Sequence, residues 1–158
     1  MTTSEKLKQK FWSVIYPIFP KLEHSVVFLH DKRRQEYHIG WLAPHHSVAD
    51  LKRHLSSKWG FGNHFVAWED SDQILSWRKL VNFKHQYHIR LYSDGEIRGH
   101  YELTPEANPL KHFFEDHEAA RNRDFMTFLG TYVTRKKFIS KLKPDHTVNV
   151  DSEITFAN

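Results

Sequence analysis

The chain contains no cysteine, which excludes disulfides, thiolate zinc sites, iron–sulfur clusters and cysteine nucleophiles and leaves packing to hold the fold. No apolar run approaches the roughly 20 residues that cross a bilayer, and the opening residues lack the apolar stretch of a secretory signal. A cytoplasmic protein with no membrane partner is the expectation. Walker, GxGxxG, GxSxG and EF-hand patterns are all missing, which argues against an NTPase, a dehydrogenase or a serine hydrolase, and no cofactor is expected. No linker rich in proline, glycine and serine divides the 158 residues, so 1–144 reads as a single domain followed by a polar tail at 145–158.

Aromatic residues, in contrast, make up 15% of the chain and are enough to build a core without covalent help. Lysine and arginine number 23 against 19 acidic residues, and 13 histidines add charge on acidification. Nucleic acid or a phosphorylated ligand is the partner this balance favours.

Leu7, Phe11, Val14, Ile15 and Ile18 recur at helical spacing over 5–18 and predict an amphipathic helix. Residues 25–30 and 36–42 read as a hairpin. Ser47 with Asp50 three residues on forms a capping-box variant for a second helix, closed by Gly60. Two further hairpins are predicted, 64–69 with 73–78 and 86–92 with 96–103. Asn108 and Pro109 open another helical stretch, and Phe125, Phe128, Leu129, Tyr132 and Lys136 mark a last helix that runs through Gly130 to Pro144. With no βαβ alternation, the expected class is α+β, an antiparallel sheet of about six strands built from hairpins and covered on one face by three to four helices.

The triplet Tyr37, His38, Ile39 is echoed by Tyr87, His88, Ile89, each in a predicted strand. This superficially resembles the twin histidine motifs of the LigT-like 2H phosphoesterases. That family carries Ser or Thr where this chain has Gly40 and Arg90, so the hydroxyls that would hold phosphate are missing and the family is not assigned.

Residues 86–102 carry the most chemical information. A two-residue turn at Asp94 and Gly95 would set Ile89 opposite His100 and mix apolar with charged side chains on both faces. A three-residue bulged loop of Ser93, Asp94 and Gly95, with Gly95 left-handed, instead pairs Tyr92 with Glu96, Arg90 with Arg98, His88 with His100 and Gln86 with Glu102. One face then carries Tyr87, Ile89, Leu91, Ile97, Gly99 and Tyr101, and the other is wholly polar. Such separation selects the second register.

Opposed Arg90 and Arg98 require an anion between them or carboxylates nearby, with Glu102 and Glu96 the closest. An accessible site follows, in which Arg90 and Arg98 hold phosphate, His88 and His100 act as general base and acid, and Glu102 orients His100. This implies a metal-independent phosphoester or nucleic-acid-processing activity. A non-catalytic module that binds nucleic acid or an acidic partner is the alternative, and whether the chain is an enzyme stays open. As a second alternative, His88, His100 and Glu102 form a two-histidine, one-carboxylate set for iron(II) or zinc, although the arginines oppose a bare cation. A solvated charged face would look the same in sequence.

Gly99 leaves room for a ligand on the apolar side. His45 and His46 read as a loop pair, and His112 and His117 fall on different helix faces. Trp41, Trp59, Trp68 and Trp77 are expected in the core more than as base-stacking platforms. Arg135, Lys136, Lys137, Lys141 and Lys143 crowd a predicted helix end beyond what a helix dipole needs, and are the candidate nucleic-acid contacts.

Overall fold

The computed structural model describes residues 2–15, 37–62, 72–108, 112, 118–119, 122–138 and 142. Their elements run α1 (Thr3–Ile15), β1 (His38–Leu42), α2 (Val48–Trp59), β2 (Gln73–Leu80), β3 (His85–Tyr92), β4 (Glu96–Leu103), β5 (Glu118–Ala119), α3 (Asn122–Leu129), a 3₁₀ turn (Gly130–Tyr132) and β6 (Val133–Thr134). The class is α+β, and every described strand pairing is antiparallel. The order β2-β3-β4-β1-β6 forms a five-strand path, with the two-residue β5 added beside β4. The expected strands at 25–30 and 64–69, the Pro109 helix start and the 145–158 tail lie outside the described residues.

The β3–β4 hairpin has the register its side-chain pattern demands. His88 faces His100, Arg90 faces Arg98 and Gln86 faces Glu102. Gly95 takes φ 84°, a left-handed conformation that any Cβ would strain, and its N–H donates to Tyr92 O at 2.9 Å. Ile89, Leu91 and Ile97 therefore point to one side, where they join Leu51 and Leu55 of α2 and Phe125 and Leu129 of α3 in a single core. Ser47 and Asp50 close the predicted capping box on α2, and Gly60 ends that helix. Trp59 and Trp77 pack against the core as expected, while Trp68 lies outside the described residues.

Three expectations change. Gly99 leaves no room for a ligand, because a Cβ there would lie 2.7 Å from Phe125 Cε1 and 2.8 Å from Ile39 Cδ1. The last helix stops at Leu129, since Gly130 turns left-handed at φ 52° and the chain then pairs as β6 with Trp41 and Leu42. Leu7, Phe11 and Val14 do not face the core; all three are exposed.

Candidate functional site

The polar side of the sheet is buried. Arg90 and Arg98 are 8% and 7% exposed, His100 1% and Glu102 5%, and Ser76, Arg78, Gln86, Glu96 and Glu106 are buried with them. An accessible anion site was the expectation from alternation alone, and alternation does not reveal what covers a face. Here the Tyr37 ring lies tilted beside His100 with 4.9 Å between ring centroids, and residues following β4 close over the strand, Glu106 on Arg78 and His112 beside Glu102.

The buried charges balance, with Arg78, Arg90 and Arg98 matched by Glu96, Glu102 and Glu106. Arg78 Nη2 lies 2.8 Å from Glu106 Oε1. Arg98 Nη2 lies 2.8 Å from Glu96 Oε1, so one of the expected carboxylates does pair with Arg98. The same Glu96 oxygen lies 2.7 Å from His38 Nδ1. β1 and β3 thus flank β4, and the two echoed histidines each approach a β4 glutamate, His38 to Glu96 and His88 to Glu102.

Glu102 sits at the centre of a second cluster. Its Oε2 is 3.0 Å from His100 Nε2 and 3.6 Å from His112 Nδ1, and its Oε1 is 3.6 Å from His88 Nδ1 and accepts a short hydrogen bond from Gln86 Nε2. The far nitrogen of His88 is 2.9 Å from Ser76 Oγ, supplied by the neighbouring strand β2. His112 is anchored through Nδ1, 2.7 Å from Leu103 O.

These surroundings set protonation. Burial pushes the Glu102 carboxyl up, but His112, His100 and His88 outweigh it and hold the pKa well below 4.5. Burial lowers the His100 imidazole below 6.5, and the nearby Arg90 charge adds to that against the opposing pull of Glu102. Glu102 is ionised and His100 neutral at pH 7, the forms in which both bind cations.

One ligand atom from each of His88, His100 and Glu102 lies within 4.8 Å of the others, close enough to share one metal ion. The Ser76 contact fixes the His88 ring from its other nitrogen, as an outer partner would for a histidine that held a metal. Sequence reasoning brought together His88, His100, Glu102, Arg90 and Arg98, but missed Ser76, Tyr37, His38 and His112 as members of the face. The pairing of β2 with β3 and the closeness of residue 112 to 102 are the signals that could have found two of them.

The basic run stands apart. Arg135, Lys136 and Lys137 are exposed and follow β6 rather than ending a helix, so the helix dipole does not explain them. Lys137 Nζ lies 3.0 Å from Asp94 Oδ2. Lys141 and Lys143 are outside the described residues, as is His117.

No protein-family model, curated protein or solved structure matches the chain. The functional reading therefore rests on the chemistry of the site.

Proposed function

We propose that the buried polar face of β3 and β4 is a divalent-metal centre with His88, His100 and Glu102 as ligands, used in the hydrolysis of a small phosphoester. The approach of their three donor atoms to within 4.8 Å carries this reading. The protonation states of Glu102 and His100 support it, and so does the hold of Ser76 on His88. The cation repulsion expected from the arginines is softened by Glu96 on Arg98 and Glu106 on Arg78.

Zinc or iron(II) held there would lower the pKa of bound water toward neutrality and so supply the nucleophile. Arg90 would take the phosphate, its guanidinium matching the phosphate oxygens, beside an Arg98 already held by Glu96. A small ester suits residues this enclosed better than a nucleic-acid strand does. A nucleic-acid partner has the exposed Arg135 and Lys136 in its favour.

Equilibrium dialysis of chelator-treated protein against zinc, and against iron(II) without oxygen, tests the centre. One ion per chain is expected, lost in Glu102→Gln and His100→Gln; no bound ion at tens of micromolar metal would overturn the reading.

A second reading keeps His88 and His100 as a metal-free acid–base pair. Their rings lie 5.0 Å apart in the opposed register. It predicts phosphodiester cleavage that survives EDTA and follows a bell-shaped pH profile, whereas EDTA abolishes activity in the metal-dependent case.

A further inference from the structure

Helix α1 shows its apolar side to solvent. Leu7, Phe11 and Val14 are 69%, 56% and 68% exposed, and their spacings of four and three put them on one stripe. Glu5 and Gln9 on the other side line, with residues 80–85, a cavity of about 490 Å³. A helix placed by burial alone would do the reverse, turning its apolar stripe inward.

The helix carries its own N-terminal cap. Thr2 N–H donates to Glu5 Oε2 at 2.7 Å and Glu5 N–H donates to Thr2 Oγ1 at 3.2 Å, a reciprocal cap on its first turn. Lys6 and Lys8 are exposed, and at about 100° per residue they fall on opposite flanks of the stripe. A second copy laid on this face would bring lysine rims together, which is unfavourable. An anionic surface would meet apolar and basic groups together.

We infer that α1 is an interfacial helix that seats on an anionic lipid surface, with Leu7, Phe11 and Val14 entering the headgroup boundary and the lysines meeting lipid phosphates. No helix among the described residues is long and apolar enough to cross a membrane. The sequence expectation of no membrane partner rests on that spanning length, which does not bear on a helix lying flat.

Co-sedimentation of the full chain with vesicles tests this, using phosphatidylcholine alone and phosphatidylcholine with about one quarter phosphatidylglycerol. Binding to the anionic vesicles is expected to be about tenfold tighter than to the neutral ones, and to weaken as salt is raised. A Leu7→Ser/Phe11→Ser/Val14→Ser variant is expected to lose that binding with little change in Tm, since the replaced side chains are exposed. Absence of binding to anionic vesicles would overturn the inference. So would undiminished binding by the triple variant, or a concentration-dependent dimer that the variant abolishes while vesicles bind neither protein.

Discussion

His88 and His100 face each other across β3 and β4 with ring centroids 5.0 Å apart and planes inclined at 71°, and Glu102 approaches both. His100 Nε2 and Glu102 Oε2, 3.0 Å apart, are joined by a hydrogen bond, and a metal ion held as proposed would have to displace that proton.

Acid should destabilise the metal-free protein in two stages. His100 has a folded pKa below 6.5; as pH falls from 6.5 the unfolded chain takes up a proton that the folded one refuses, and stability drops. Glu102 has a folded pKa well below 4.5; its contribution is present above 4.5 and is lost as pH falls through the folded value. Urea midpoints in chelator-containing buffer should fall from pH 7.5 to 5.5 in the wild type and fall less in His100→Gln. Equal pH dependence in the two proteins would contradict the first stage.

Gly99→Ala should cost about 1–3 kcal/mol by overpacking, because its Cβ meets Phe125 and Ile39, both in or against the core. A concurrent Ile39→Val is expected to recover part of the loss. Denaturant midpoints of the single and double variants check this, and an unchanged midpoint in Gly99→Ala would mean that the space is free.

Gly95→Val should cost more than the roughly 1–2 kcal/mol of left-handed strain of an unbranched residue, since φ at this position is 84°. Urea unfolding measures it, and a cost below 1 kcal/mol would speak against the bulged loop that sets the site's register.

Glu106→Gln should destabilise by about 3–5 kcal/mol, the usual loss when one member of a buried pair is removed. Arg78 and Glu106 are 2.8 Å apart, each side chain 3% exposed. Replacing both with leucine and methionine is expected to be far less costly than the single change, which a double-mutant comparison by thermal unfolding would show.

The hairpin was legible because alternation and Gly95 act locally: only one register separates Ile89, Leu91 and Ile97 from Arg90, Arg98 and His100. The capping box of α2 was legible for the same reason, Ser47 and Asp50 being three residues apart. The burial of the polar face was not. A buried polar face and a solvated one alternate identically, and Tyr37, Glu106 and His112 reach it from outside the hairpin. His112 has His117 as a histidine neighbour in sequence, but its neighbour in space is Glu102. The helical period through Tyr132 and Lys136 failed where β6 pairing with β1 prevailed after Gly130. Periodicity placed an apolar stripe on α1 correctly, but could not say which way the helix would turn.

X-ray absorption at the zinc edge of zinc-loaded protein tests the metal centre most directly. Two imidazoles at about 2.0–2.1 Å with oxygen ligands from the carboxylate and a water are predicted, falling to one imidazole in His88→Gln. A spectrum with no imidazole scattering, or one unchanged in His88→Gln, would contradict it.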